Sequence, residues 1–538
     1  MSSIYSQYAR SSSPSSTLPT QAEPIPGRES EMKLNNAGGF AFKLDKWSVL
    51  DRFLLIGSEQ SSYYASQQDI TKQGFDTIKA CIAEDGVRVV RHALEYSLTG
   101  RSPKNDTSVV AIALAAVYGN AATIEAAYDA LPKVARTGTW LFLFVSILDA
   151  LGKWNAAAKR GIAKWYNDKD IQRLAVQLLK YKSRNGWAHR DVLRLSHTKP
   201  TSPEQEALLG YAVGKKSNLE ALPKLVQDFE TLKTSSSREE VLRIISDNKD
   251  ITWEMVPTKW MTDKDVLSAL LVNMGLTAVI RKLGILTSHG VLTPLSEGSN
   301  LIISKLSNTH ALRDQRVHPL TLLQAIRQYS AGQGEKSKAK WKPNQRIVDA
   351  LDDAFYAAFE QGEKSDEAYL LGVDCSASMF GVKVNGSPNL SAAEVAAVMA
   401  LAVVKNHSNY WIGGFNTKMS ELHISPNMRL DAVLKKMQKF NWGGTDLSLP
   451  ATHALENRMK VDTFVSITDN ETWAGQIHAT DALKQYRRKM DTPKTRQVII
   501  ATSVTDVSVS DPNDPLQLDI AGFDSAAPQI ISQFGKKF

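Results

Sequence analysis

Cysteine is nearly absent: Cys81 and Cys375 are the only two in 538 residues. Two thiols exclude a disulfide framework and a Cys-based zinc site, and point to a reducing compartment. Long hydrophobic runs are missing too. The longest, Trp140 to Leu151, is about half the ~20 residues a membrane span needs, and it contains Ser146 and Asp149. It reads as a buried core helix. The N-terminus has no charged-then-apolar signal pattern, so the expected setting is cytoplasmic, away from any membrane. Catalytic signatures are also lacking. There is no G-x-S-x-G and no Walker loop, Ser376 stands where a D-x-D nucleophile pair beginning at Asp374 would need its second Asp, and nothing resembles a general base beside a nucleophile. His407 and His478 read as helix-end or surface residues. The chain is not expected to be an enzyme.

What is present is charge, unevenly placed. Residues 1–345 carry 45 Lys+Arg against 33 Asp+Glu, a net of +12, while residues 346–538 carry 19 against 23, a net of −4. The first part should seek polyanions and the second something else. The length suits two to four domains.

The hydrophobic pattern divides the chain in the same way. Residues 1–34 are Ser-, Pro- and Thr-rich and read as a flexible tail. From about residue 35 to 345, apolar segments of one helix length follow each other closely and end at Gly, Pro, Asn or polar clusters. This is the rhythm of stacked helical hairpins, with an irregular all-helical domain as the alternative. Residues 335–345 read as a basic hinge. Over 346–538, strand-like runs (AYLLGVDCS, NYWIGGFN, DTFVSITDN, QVIIATS) alternate with helical ones. That alternation implies a doubly wound, mostly parallel α/β sheet with its ligand site beyond the C-terminal strand ends.

One stretch carries the positive excess. Residues 151–200 hold 12 Lys+Arg and 3 acids. Within it, Ile171, Leu174, Ala175, Leu178 and Leu179 share one helical face, and Arg173, Gln177, Lys180 and Arg184 share another. Asn185-Gly186 is expected to stop that helix, and a second short helix presents Arg190, Arg194 and His197 before Pro200. Basic faces are often plain solvated surface. This one lacks the i,i+4 acids that normally neutralise such a helix, which suits an anionic polymer.

The second constellation lies at strand ends. Asp374-Cys375-Ser376-Ala377-Ser378 is a D-x-S-x-S; Gly443-Gly444-Thr445-Asp446 and Thr468-Asp469 follow in the later loops. Hydroxyls and carboxylates converging on one edge are hard oxygen ligands that suit Mg²⁺. Ser376, Ser378 and Thr445 would bind directly, and Asp374 and Asp469 through water. Neutral direct ligands leave the ion able to accept an outside carboxylate. This set resembles the metal-ion-dependent adhesion site of von Willebrand factor A domains. The alternative is that these hydroxyls merely cap helices and turns.

The stretches KYKSRNGWAHRDVLRLSHTKP, RVHPLTLLQAIRQYSAGQG, VDCSASM, GGTDLSLP and ITDNETWAG, in this order, resemble the Ro 60 kDa (TROVE) family. The resemblance spans roughly residues 39 to 534. It implies a HEAT-like ring of helical repeats joined to a von Willebrand factor A domain, working as a monomer. It further implies Y RNA on an outer basic face and the single-stranded 3′ ends of misfolded noncoding RNAs in a central hole. The family's Y RNA contacts carry over to Lys180, Arg184 and His197, with Arg173, Arg190 and Arg194 beside them. Its metal ligands carry over to Ser376, Ser378, Thr445, Asp374 and Asp469. The segment from Thr201 to Gly214 matches poorly, as does the loop after Met379. Three classes stay open: an RNA-binding scaffold, a metal-dependent protein adaptor (for an exoribonuclease, for instance), and a metal-dependent nuclease. Co-purified nucleic acid separates the first two, and incubating RNA with Mg²⁺ tests the third.

Overall fold

Side-chain caps punctuate the first part of the chain. Asn120 accepts from the Thr123 N–H, Asn155 from Ala158, Asp170 from Arg173, Ser202 from Gln205 and Ser237 from Glu240, each opening a helix. These caps satisfy N–H groups that a helix leaves orphaned at its start, so the polar clusters noted in the sequence become helix boundaries. The computed structural model describes residues 20–56, 67–215, 218–334, 339–359, 366–381, 391–440, 443–503, 505–522 and 524–536.

Helices between Lys46 and Ala357 stack in chain order around a continuous apolar core that includes Phe142, Phe144, Trp165 and Tyr166. The Gly138–Ala150 helix buries Leu141, Phe142, Phe144, Val145 and Leu148, as its apolar run suggests. The array closes on itself. The Arg316 guanidinium donates to the Leu98 carbonyl at 2.5 Å, and the His318 ring meets the Arg101 carbonyl at 3.0 Å, across more than 200 residues of sequence. A helical-repeat ring is the result.

The second part is a six-stranded sheet in the order Gln517–Ala521, Arg496–Ala501, Thr463–Thr468, Tyr369–Asp374, Tyr410–Phe415, Met419–Glu421. All neighbours are parallel except the last, an antiparallel edge strand. Every residue of the three strands at 369–374, 463–468 and 496–501 is buried, as a sheet covered on both faces requires.

Two boundaries differ from expectation. Of the tail expected through residue 34, the first nineteen residues lie outside the described residues, but 20–34 are ordered. Met32–Leu34 pairs with Phe40–Lys43, which pairs with Val507–Ser508 of the second part. Backbone pairing and polar anchors hold the segment where composition alone offers little to bury. The Gln345–Ala357 helix, expected to open the second domain, instead packs its buried face (Ile347, Leu351, Ala354, Phe355) on the Glu297–Ser307 and Pro319–Ser330 helices of the array. Of the expected hinge at 335–345, residues 335–338 lie outside the described residues, and Trp341 is stacked on Tyr329 with ring centroids 6.2 Å apart.

The parts are joined by partly buried ion pairs. Arg52 forks onto Asp519 at 2.6 and 2.7 Å and also donates to the Thr505 and Val507 carbonyls. Arg101 reaches Asp524 at 2.5 Å and Arg327 reaches Glu394 at 2.9 Å. The Arg101 contact lies at the residues where the ring closes.

Candidate RNA interface and metal pocket

The Ile171–Lys180 helix forms as its pattern predicts, burying Leu174, Ala175 and Leu179. It ends at Lys180, not at Asn185-Gly186. Those two residues turn a small hairpin that pairs Ser183–Arg184 with Trp187–Ala188. Their φ values are +52° and +79°, the pair of positive angles a two-residue type I′ turn demands and an Asn-Gly sequence favours. Arg184 therefore stands on the hairpin, outside the polar stripe of the helix. The His189–Ser196 helix follows, and His197 closes it with φ +51°, its backbone N–H reaching the Leu193 carbonyl. The cap is made by the backbone; among the described residues the exposed imidazole makes no hydrogen bond.

The six basic candidates fall into two groups. Lys180, whose Nζ lies 5.5 Å from the Tyr181 ring, and the exposed Arg184 form no ion pair among the described residues. Arg173 pairs with Asp170 at 3.2 Å, Arg190 with Asp191 at 3.4 Å, and Arg194 donates to the Val213 carbonyl at 3.3 Å. The residues carried over by resemblance are the uncompensated ones, and two of the three beside them are partly neutralised.

A buried network supports this face. His189 packs edge-on against Phe142 with centroids 4.7 Å apart. Its Nε2 meets the Gln177 carbonyl at 3.1 Å and its Nδ1 meets the Tyr166 hydroxyl at 2.9 Å. A carbonyl only accepts, so Nε2 carries the hydrogen and Nδ1 accepts from the tyrosine. Burial pushes the imidazole down to about 3, so it is neutral at physiological pH. This histidine ties the Ile171–Lys180 helix to the start of the His189–Ser196 helix. Sequence reasoning passed it over, since one histidine on an apolar face carries no distinctive signal.

A cavity of about 1050 Å³ opens in the ring, lined by Lys182, Lys233, Trp253, Arg281, Lys282 and Trp341 among others. Lys282 Nζ lies 4.6 Å from the Trp253 ring and Lys233 Nζ 5.3 Å from Phe229. Cations interleaved with aromatic rings are what phosphates and unstacked bases need. These residues come from segments up to 160 positions apart, so no local pattern reveals them. Lysine flanks tryptophan at Lys340-Trp341-Lys342, but the same pairing recurs away from the cavity, at Lys46-Trp47 and Lys153-Trp154.

At the sheet edge, the five metal candidates are all buried. Ser376 Oγ lies 3.0 Å from Ser378 Oγ, and the Ser378 hydroxyl bonds the Asp469 carboxylate. Asp374 accepts from the Ser376 N–H at 2.9 Å and from the Thr468 hydroxyl at 2.7 Å. The Thr445 carbonyl accepts from the Trp473 and Ala474 N–H groups, both at 3.1 Å, which docks its loop on the one carrying Asp469. Burial holds both carboxyls above their usual range, and for Asp374 the nearby Asp469 adds to it. No cationic side chain contributes to either. Asn470, at φ +65°, has a side chain that finds no partner among the described residues. Two buried carboxylates without a cationic partner among the described residues, beside serine and threonine hydroxyls, fit a divalent cation. Among the described residues no cluster of three or more His, Cys, Asp or Glu is placed to hold a metal, so any site here depends on the hydroxyls. Of the helix-end or surface alternatives for two histidines, the helix end holds: His407 follows the Ala392–Asn406 helix and His478 precedes the Ala479–Met490 helix. Both are buried, His407 stacked on Tyr369 at 3.8 Å and His478 meeting the Glu23 carbonyl at 2.7 Å. The loop after Met379 lies, from 382 to 390, outside the described residues.

A TROVE domain model matches residues 33–328 and a Ro60 vWA domain model matches residues 368–535. The chain is 37% identical over 506 residues to the RNA-binding protein RO60 of Deinococcus radiodurans, covering 93% of this chain and 95% of that one. It is 30% identical over 596 residues to the RNA-binding protein RO60 of Caenorhabditis elegans, covering 96% and 91%. The crystal structure of the Deinococcus radiodurans RO (RSR) protein superposes with a TM-score of 0.69 at 36% identity, covering 91% of this chain and 99% of that one.

Proposed function

From the premise that this chain belongs to the Ro60 family, with a TROVE domain followed by a Ro60 vWA domain, we propose that it is an RNA-binding ribonucleoprotein scaffold acting in noncoding-RNA quality control. A stem-loop RNA of the Y RNA class binds the face carrying Lys180, Arg184 and His197. The single-stranded 3′ end of a misfolded noncoding RNA enters the ring. The observation that carries this reading is the set of uncompensated cations on the hairpin and the helix end beside it. An A-form duplex hides its base edges, so cations on a rigid protrusion read its backbone and shape. Arg173, Arg190 and Arg194 add weaker phosphate contacts, because neighbouring groups already hold them. The cavity lined by Lys182, Lys282 and Trp253 supports the second half, since it offers stacking surfaces and cations to an unpaired strand. Selection then depends on a free tail and little on sequence.

The vWA pocket is the second functional element. Ser376, Ser378 and Thr445 would hold Mg²⁺ directly, with Asp374 and Asp469 acting through water, and the ion would supply an electrophilic seat for a partner's carboxylate. An exoribonuclease docked there would receive RNA from the ring. The ring closes within one chain, so a monomer is sufficient. No general base stands beside a nucleophile in the residues assigned here, and the reading is non-catalytic. No helix among the described residues is long and apolar enough to cross a membrane.

Mobility shift of the purified chain with a Y-type stem-loop, and with a duplex bearing a single-stranded 3′ tail, tests the proposal. Binding of both is expected, and indifference to RNA in dilute buffer sinks it. Both RNAs should remain intact after incubation with Mg²⁺; cleavage would support the nuclease reading instead. The adaptor reading, with RNA secondary, is favoured only if an acidic partner binds the metal-loaded protein while RNA does not.

A further inference from the structure

The loops that carry the vWA pocket hold two further carboxylates. Besides Asp374 and Asp469, they bury Asp446, next to Thr445, and Glu471, two residues past Asp469. Asp446 accepts from the Ser448 N–H and hydroxyl at 3.0 and 2.6 Å, and both carboxylates also take donors from the opposite end of the sequence. Gln21 Nε2 donates to Asp446 Oδ1 at 2.8 Å, Asn36 Nδ2 donates to Glu471 Oε1 at 2.7 Å, and the Ala37 N–H donates to Glu471 Oε2 at 3.1 Å.

The segment that supplies these donors is itself fixed. The Asn35 side chain accepts from the Ala37 and Gly39 N–H groups at 3.1 and 2.9 Å and donates to the Thr472 carbonyl at 2.6 Å. Arg28 forks onto Asp511, one arm at 2.7 Å. A side chain at Gly39 would run into the Thr472 carbonyl, so the turn can approach this closely only with glycine there. The contacts thus converge on the two loops that carry Thr445 and Asp469.

We infer that residues 20–39 are a positioning strap for the metal pocket: Gln21 and Asn36 engage the carboxylates of Asp446 and Glu471 and keep them from becoming ligands of the ion. The inference rests on the metal reading given above and is independent of RNA binding. Its consequence is a matter of charge. With Asp374 and Asp469 alone ionised around a divalent cation, the site is neutral and its direct ligands are hydroxyls, so an outside carboxylate can still be accepted. With Asp446 or Glu471 also on the ion, the site becomes anionic. It then grips the metal harder and repels the outside carboxylate, because metal affinity follows the number of charged ligands.

The test uses the full chain with Mn²⁺ as the metal probe and acetate as the carboxylate probe, both followed by calorimetry. Asn36 is exposed, so Asn36→Ala leaves the fold intact, which a thermal melt verifies. Asn36→Ala should bind Mn²⁺ roughly tenfold more tightly and acetate, once loaded, correspondingly more weakly. Gln21→Ala should move both in the same directions through Asp446. The double variant Asn36→Ala with Glu471→Gln should return to wild-type values, a rescue that loss of packing alone does not produce. Unchanged Mn²⁺ affinity in both single variants, or a change that persists in the double variant, overturns the strap. Wild-type protein that binds no Mn²⁺ overturns the metal reading itself, while RNA affinity stays the same in every variant.

Discussion

Replacing Lys180 and Arg184 together by alanine removes two cations that have no acidic partner among the described residues. No buried carboxylate is stranded by the change, so the melting temperature should hold. The loss should appear in RNA binding. Each duplex phosphate neutralised contributes about 0.9 to the slope of log K against log salt, so each contact is worth about 0.9 log unit near 0.1 M salt relative to 1 M. Two contacts therefore amount to roughly 60-fold near 0.1 M. For an interface of about four phosphates, the slope should fall from roughly −3.6 to roughly −1.8. Mobility shift or filter binding of a Y-type stem-loop over a salt series measures both quantities. The curves for wild type and variant should converge as salt rises. A variant that binds within a factor of about three of wild type, or one whose slope is unchanged, refutes the assignment of these residues to phosphates. Arg173→Ala with Arg190→Ala is the matched control. Those guanidinia already face Asp170 and Asp191, so their removal should cost less affinity at every salt concentration.

The turn offers a second check. Gly186 has φ +79° and open space where a Cβ would stand, so Gly186→Val meets only backbone strain. It should cost about 1–2 kcal/mol locally and weaken RNA binding by misplacing Arg184, seen as lower affinity with little change in melting temperature. Acid should weaken the face through His189. Its pKa is about 3 folded and near 6.5 unfolded, so between those values only the unfolded chain takes the proton. Stability is therefore full above about pH 6.5 and falls as pH drops toward 3. His189→Phe should flatten that part of the melting curve against pH while losing the two hydrogen bonds. In the vWA pocket, Ser376→Ala with Ser378→Ala should abolish Mn²⁺ binding measured by calorimetry and leave stem-loop affinity unchanged. A parallel loss of RNA binding in a variant that still melts as wild type would show that the two sites are coupled.

Much of the architecture was legible in the order of the residues. The strands at 369–374, 410–415, 463–468 and 496–501 announced themselves as short apolar runs between helical ones, and parallel order placed Asp374 and Asp469 at one edge. The basic stretch and the D-x-S-x-S were legible because each is local: neighbours in sequence remain neighbours in space. The Asn185-Gly186 pair was legible too, but as a breaker. Two residues tolerant of positive φ between short β-compatible segments also spell a hairpin, and that is the form they take.

Local pattern determined which segments are helix or strand, where the helices begin, and which side chains could serve phosphate or metal, since those depend on spacing and residue type. The pairs Asp170–Arg173 and Arg190–Asp191 are local, but the tertiary structure alone decided that Lys180 and Arg184 meet no acidic partner among the described residues. It also assembled a cavity from Lys182, Trp253, Lys282 and Trp341, and brought Gln21 and Asn36 to carboxylates more than 400 residues away. The reason is the same each time. Compensation, enclosure and hydrogen-bond partnership are set by distance through space, and closing a ring joins residues that no periodicity along the chain relates.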